Sequence, residues 1–313
     1  MIQAPSDDPR GFVVSETMTG MTATPSTSLV PAADAALAAA PATIPATAPA
    51  TAHGADLDAD SERRFGGLQR LHGERDYRHL RAARFAVVGL GGVGSWVVEA
   101  LARMGVARLV LIDLDHVAES NINRQVQALG STLGMAKAEA LRQRVADIHP
   151  GCEVITIEEF VDDENWPLLL GDVAIDGIVD ACDQVRAKAQ IAAWARRLKL
   201  AHLCVGAAGG KHRPQDVEVL DLSETTHDPL LASLRQRLRK QHDLPRQGSM
   251  GVRCVFSREP VRRPDESCEV DGSLNCHGYG SSVAVTAGFG MVAAADLVAQ
   301  YLKALARREK SAL

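Results

Sequence analysis

The side chains of this chain that can do chemistry gather where apolar runs end. One such run, Phe85-Ala-Val-Val-Gly89-Leu-Gly91-Gly92-Val-Gly94-Ser95-Trp96, passes into a glycine-rich turn that opens a helix. A turn of this kind binds nucleotide. Gly89 permits the bend, Gly91 lets backbone approach a phosphate, Gly94 lets the helix pack on the strand, and the N–H groups of the helix start attract an anion. Gly92 and Ser95 complete the cradle, and the doubled glycine followed by serine leaves NAD and ATP both open. An acidic residue about 20 positions beyond such a turn hydrogen-bonds a ribose hydroxyl. In Leu111-Ile-Asp113-Leu-Asp115, Asp113 fits that role with Asp115 beside it, for either nucleotide.

The next residues separate the two. Glu119-Ser-Asn121-Ile-Asn123-Arg124-Gln125 and Gly134-Met-Ala-Lys137 bring a guanidinium and an ammonium toward the phosphates. A helix N-terminus can hold the pyrophosphate of NAD by itself; extra fixed cations make sense when a triphosphate reacts and negative charge must be stabilised. The plainer alternative is that Arg124 and Lys137 make ordinary surface ion pairs. Asp183 ends Ile178-Val-Asp180-Ala-Cys182-Asp183. Carboxyl ends of strands are where open α/β sheets bind ligands, so Asp183 could hold Mg²⁺ against the phosphates. Asp180 suits a cap on the following helix, the commoner duty of an Asp at a strand end.

Alternating strand and helix signals must position these groups. Strands are expected at 84–89, 108–112, 153–157, 176–181 and 201–206, with helices at 93–104, 134–147, near 163–170, and at 185–198 between them. That order predicts an α/β, Rossmann-like, mainly parallel sheet with helices on both faces. Beyond it, Asp216–Leu220 alternates like a strand with one wet face, a basic helix follows at about 229–241, and Val252–Phe256 reads as another short strand, which together form a C-terminal antiparallel extension. A long final helix spans about 281–308. It is apolar from Val283 to Ala295, but Asp296 and Gln300 interrupt it before the roughly 20 residues that a bilayer requires. A buried interface helix fits better than membrane association.

Residues 1–62 are rich in Ala, Pro, Thr and Ser and lack apolar periodicity, so they are expected to form a disordered tail ahead of a catalytic domain at 63–313. No basic start leads into an apolar run, and Asp7, Asp8 and Asp34 are wrong for a transit sequence. The six cysteines contain no C-x-x-C pair, which disfavours structural zinc. Cys182 and Cys204 lie in apolar runs that suit a reducing cytoplasm. Cys268 and Cys276 lie in a polar, glycine-containing stretch where a thiol could reach a ligand. The net charge of −5 argues against a general nucleic-acid coat protein. A local basic run nevertheless extends from Arg235 through Arg237, Arg239, Lys240, Arg246, Arg253, Arg258 and Arg262 to Arg263. It could bind several phosphates if its members share a face; otherwise it is the solvated side of a helix and loop.

Taken together, Gly89-x-Gly-Gly-x-Gly-Ser95, Asp113-x-Asp115, Asn121-x-Asn-Arg124-Gln125, Lys137 and Asp180-x-x-Asp183 resemble the ATP-binding core of the ubiquitin-activating-enzyme superfamily, whose members adenylate carboxylates. Arg63-Arg64-Phe65-Gly66-Gly67 resembles the Arg-aromatic element that precedes that core, and by this resemblance Arg64 acts in trans across a homodimer. Adenylyltransferases for ubiquitin-like sulfur-carrier proteins usually carry two C-x-x-C zinc pairs, absent here, so they are the alternative. From Arg64 to the C-terminus the chain resembles the tRNA threonylcarbamoyladenosine dehydratases. Arg64-Phe-Gly-Gly67, Glu99-Ala-Leu-Ala-Arg103, Ala136-Lys-Ala-Glu139, Asp228-Pro-Leu230 and Cys254-Val-Phe-Ser257 carry that match.

The resemblance implies ATP-dependent cyclisation of N6-threonylcarbamoyladenosine in the anticodon loop of tRNA. ATP turns the threonyl carboxylate into a mixed anhydride, an acyl-adenylate by analogy with the superfamily, and a urea nitrogen or oxygen closes a five-membered ring. Ring closure is intramolecular and gains from proximity. The implied roles are charge stabilisation by Arg124, Lys137 and Arg64, Mg²⁺ at Asp183 and ribose at Asp113. Cys276 occupies the place of a family cysteine in a loop before the final helix, either shielding the site or forming a thioester beside His277. A monovalent cation and a sulfur-relay partner, a cysteine desulfurase or a sulfur acceptor protein, are left open by the resemblance.

Overall fold

The computed structural model describes residues 59–262 and 279–311. Three short helices lead, α1 (Ala59–Phe65), α2 (Gly67–His72) and α3 (Glu74–Ala82). The expected alternation follows as β1 (Arg84–Val88), α4 (Gly94–Arg103), β2 (Arg108–Ile112), α5 (Lys137–Ile148), β3 (Glu153–Ile157), β4 (Gly177–Asp180), α6 (Val185–Leu198) and β5 (Ala201–Val205). Then come β6 (Val217–Asp221), α7 (Pro229–Gln241), β7 (Arg253–Ser257) and the long α8 (Val283–Ser311).

The seven strands form one sheet in the order β3-β2-β1-β4-β5-β7-β6. Every neighbouring pair is parallel except β6 with β7, so the α/β sheet with its antiparallel extension is borne out. Strand order reverses between β1 and β4, where Val88 pairs with Asp180. That reversal opens a crevice beyond the carboxyl ends of the two strands, the place where sheets of this type take ligands. The turn after β1 and the loop after β4 are its walls.

Helices on both faces explain why β1 and β2 are apolar throughout after their first residue. Successive side chains of β1 point oppositely: Phe85 and Val87 join a core with Leu101, Leu141 and Phe289, while Ala86 and Val88 join Ile178 and Ile191. A third cluster packs Leu234 and Leu238 of α7 on Cys254 and Phe256 of β7. The start of α7 is fixed by Asp228, whose carboxylate accepts the Leu231 N–H at 2.9 Å, with Pro229 in the first helical position. By length and composition α8 could cross a membrane. Here Val285, Phe289, Ala293, Leu297 and Tyr301 form a buried stripe on one face, and Asp296 holds Arg253 in a two-point ion pair at 2.6 and 3.0 Å.

Two expectations need correction. The helix near 163–170 is only a 3₁₀ turn at Leu168–Leu170, because Pro167 has no amide to continue a helix. The tail boundary at 62 falls inside α1. Ser61 accepts from Arg81 at 2.5 Å and Glu62 from the Tyr77 hydroxyl at 3.2 Å, so these residues belong to the folded part. Residues 1–58 lie outside the described residues. No helix is expected from the sequence ahead of β1, where the structure has α1–α3; α3 buries just Tyr77 and Leu80, one turn apart.

Candidate active site

The glycine turn is held by contacts that admit no side chain. Gly89 has φ +82°, and a Cβ there would lie 2.7 Å from the Cys182 nitrogen and 2.8 Å from the Ala181 carbonyl, so the turn after β1 rests directly on the loop after β4. A Cβ on Gly94 would fall 1.8 Å from the Gly89 oxygen. A Cβ on Gly91 would meet nothing within 4 Å, so the turn presents open backbone there.

Asp113 closes the turn from the end of β2. One oxygen accepts the Leu90 N–H at 2.6 Å and the other the Asp115 N–H at 2.8 Å. Burial raises the Asp113 pKa, opposed by the Lys137 charge and by these two donors. Asp115 is the outward carboxylate, more than half exposed, and it takes the Lys137 Nζ at 2.7 Å. Lys137 is buried as the first residue of α5, and its own N–H bonds the Asp115 carbonyl at 2.9 Å.

Arg124 reaches the turn from the segment between β2 and α5. Its stem lies against Gly92, whose added Cβ would stand 3.3 Å from the Arg124 Cδ. One guanidinium nitrogen donates to the Ser120 carbonyl at 2.6 Å and to Asn123 Oδ1 at 3.0 Å, while Nε is buried without a partner among the described residues. The Trp96 indole and the Thr286 hydroxyl donate to the Arg124 carbonyl at 2.9 and 3.3 Å, which fixes this backbone between α4 and α8. Asn121 is buried and accepts the Ala118 N–H. Ser95 and Gln125 are also buried. Ser95 Oγ accepts from Val126 at 3.4 Å, and Gln125 Oε1 accepts from Gln127, which donates as well to the Leu90 carbonyl. These two brace the turn from behind rather than lining its open side.

Asp183 is exposed in the loop between β4 and α6, next to the backbone that supports Gly89. Among the described residues no cluster of three metal-type side chains occurs. A single carboxylate is what Mg²⁺ requires when substrate phosphates and water supply its other ligands, so Asp183 fits that ion. Asp180, expected as a helix cap, does something else: α6 has Gln184 at its cap position without a side-chain bond. Asp180 is fully buried and accepts from Lys188 Nζ and from the Cys182 N–H at 3.1 and 3.2 Å. Lys188 also donates to the Asp180 carbonyl at 3.1 Å. This buried pair fixes the loop that carries Asp183; the one sequence signal of Lys188, not among the expected site residues, is a cation inside an alanine-rich helix.

Other expected site residues stand apart. Arg64 donates to the Asp147 and Ile148 carbonyls at 3.2 Å each, at the far end of α5. At 1.5 Å per residue that is about 16 Å along the helix from Lys137 of the same chain. The basic run does not share one face. Arg235 bonds the Leu222 and Thr225 carbonyls, Arg253 pairs with Asp296 and Arg258 with Glu218. Arg237, Lys240 and Arg246 make no ion pair with a described residue, and Lys240 and Arg246 line a cavity of about 320 Å³ along α7 with Arg239. Arg263, Cys268, Cys276 and His277 lie outside the described residues.

Comparison with known proteins agrees with this geometry. The family model described as ThiF family matches residues 63–312. A tRNA threonylcarbamoyladenosine dehydratase of Haemophilus influenzae is 40% identical over 247 residues, covering 77% of this chain and 94% of that protein. The solved E. coli tRNA N6-threonylcarbamoyladenosine dehydratase in complex with ATP superposes with a TM-score of 0.73 at 38% identity, over 80% of this chain and 98% of that one. The same E. coli protein in complex with AMP gives a TM-score of 0.73 at 39% identity, with the same coverage.

Proposed function

The chain belongs to the ThiF family, and from that premise we propose that it works as a tRNA threonylcarbamoyladenosine dehydratase. It is an ATP-dependent tRNA-modifying enzyme that binds ATP in the crevice between β1 and β4. The observation that carries the reading is the buried Arg124 laid against Gly92 with an unpartnered Nε, a cation built into a phosphate-binding turn.

The chemistry begins with a carboxylate, a poor electrophile. One threonyl carboxylate oxygen bonds the α-phosphorus of ATP and pyrophosphate leaves, giving a mixed anhydride with AMP. A nitrogen or oxygen of the urea then attacks the activated carbonyl carbon. AMP departs with the carboxylate oxygen, a proton is released and the ring closes with net loss of one water. The open backbone at Gly91 receives the phosphates, and Arg124 and Lys137 stabilise the charge that grows as pyrophosphate leaves. Asp115 is the outward acceptor for ribose, while Asp113 keeps the turn in shape. Asp183 would hold Mg²⁺, which would supply charge neutralisation at the phosphates. Arg64 serves the site of a second copy, so the working unit is a homodimer. The unpaired cations of α7 take backbone phosphates of the tRNA.

The test is to incubate the protein with ATP, Mg²⁺ and tRNA bearing threonylcarbamoyladenosine and to measure the nucleoside by mass spectrometry. Loss of one water is expected. An unchanged nucleoside, with ATP–pyrophosphate exchange triggered instead by a small carrier protein, overturns the reading.

A further inference from the structure

A second cavity lies away from the nucleotide turn, at the far ends of α6 and α7. Its volume is about 530 Å³, within the roughly 300–1,000 Å³ of small-ligand sites. Trp166, Trp194, Arg196, Arg197, His242 and Asp243 give it its character. The two indoles meet edge to face, with centroids 5.3 Å apart and planes at 82°. Trp166 is buried, its Nε1 has no hydrogen-bond partner among the described residues, and its edge-to-face contact steadies Trp194, which remains half-buried at the cavity wall. The imidazole Nε2 of His242 is likewise buried and unpartnered. Arg196 and Arg197 are exposed in the last turn of α6 and make no ion pair with a described residue. Asp243 is the one carboxylate among the described lining residues.

Two guanidiniums without an ion pair among the described residues, beside a rigidly held indole, match a ligand that combines a flat ring with a phosphate. The loop from His242 to Arg246 joins this cavity to the α7 cavity lined by Arg239, Lys240 and Arg246. An RNA strand crossing both would lay phosphates on cations and a base on an aromatic face, the combination by which proteins hold unpaired nucleotides. The cavity is also within reach of the reaction site. α6 starts two residues after Asp183, and Arg196 lies eleven residues further along it, about 16 Å at 1.5 Å per residue. A few nucleotides span that distance.

We propose that this cavity is a second contact for the tRNA substrate, in which an unpaired nucleobase stacks on Trp194 while Arg196 and Arg197 hold the adjoining phosphates. The assignment rests on the tRNA-dehydratase reading above. It makes the α6–α7 face a docking surface that orients the tRNA while the modified adenosine occupies the ATP crevice.

The experiment measures binding of threonylcarbamoyladenosine-bearing tRNA to the full chain and to Trp194→Ala, Trp194→Phe and Arg196→Gln/Arg197→Gln. Trp194→Ala is expected to weaken tRNA binding roughly 5- to 150-fold, the range for one stacked base, and Trp194→Phe to recover most of it. The arginine pair sits on the surface, so its replacement does not threaten folding. It should weaken binding and flatten the log–log salt dependence by about 1.4, the loss of two single-strand phosphate contacts. ATP affinity should be unchanged in all three. If the wild-type chain cyclises the tRNA and the variants bind it equally well, this inference is overturned and the functional reading stands. If the wild type neither binds nor cyclises the tRNA, both fall. If a poly-glutamate peptide binds the wild type and loses affinity in the variants while tRNA does not, the face docks an acidic protein and the RNA assignment is wrong.

Discussion

Two aspartates two residues apart show how differently neighbouring carboxylates can be employed. Asp113 spends both oxygens on backbone N–H groups of the turn and of its own strand end, whereas Asp115 faces outward and pairs with Lys137. Their substitutions should therefore separate. Asp113→Asn leaves one buried backbone donor facing an amide, which costs about 1–3 kcal/mol and should lower Tm by roughly 2–10 °C. Asp115→Asn should leave Tm nearly unchanged and raise the KM for ATP by about tenfold, the worth of one hydrogen bond to a charged acceptor. Thermal melts and ATP titrations of the two variants check this. A destabilised Asp115→Asn with normal ATP binding would reverse the assignment.

At the scale of elements, legibility followed local apolar pattern and turn chemistry. The strands Arg108–Ile112 and Glu153–Ile157 and the helices Val185–Leu198 and Pro229–Gln241 have the bounds their sequence predicts. Parallel strands covered on both faces read as continuous apolar runs, and Asp228-Pro229 marks a helix start. The glycine turn was legible because its spacing is dictated by backbone contacts. Which side of that turn Ser95 and Gln125 face was not, since the choice depends on how the 121–127 segment folds back over α4. The basic run misled for a related reason. Arg235, Arg253 and Arg258 find partners far away in sequence, at Leu222, Asp296 and Glu218, which spacing along the chain cannot reveal.

The same packing has a consequence for acid stability. His149, beside Phe65 and Arg81, and His202 on β5 are both held down to about 4, by burial first and for His149 also by the Arg81 and Arg64 charges. Between the ordinary histidine value near 6.5 and about 4, the unfolded chain takes up protons that the folded chain refuses. Stability should therefore be full above that window and fall as pH drops through it, by an amount on the order of a few kcal/mol for the two together. Urea midpoints at pH 7 and pH 5 measure the fall, and His202→Gln should shrink it. A midpoint independent of pH over that range would show that neither imidazole is kept neutral.

The whole molecule raises the question of how Arg64 takes part. Within one chain it caps the end of α5 that points away from Lys137, so a contribution to phosphate chemistry requires the turn of another copy. The two arrangements predict different results when inactive variants are mixed. Arg64→Ala removes the arginine whose place is in question, and Lys137→Ala removes the lysine of a subunit's own site. If the arginine acts in trans in a two-fold dimer, a mixed dimer has one intact site, formed by the turn of the Arg64→Ala chain and the arginine of the Lys137→Ala chain. With random exchange half of the dimers are mixed and each has one working site of two, so activity should return to about a quarter of wild type. If the arginine acts within its own chain, neither site of a mixed dimer is complete and mixing restores nothing. Mixing at concentrations that permit subunit exchange, followed by the nucleoside assay, distinguishes the two. Recovery that disappears when the subunits are prevented from exchanging would place Arg64 across the dimer interface, at the end of the same glycine turn that organises each site.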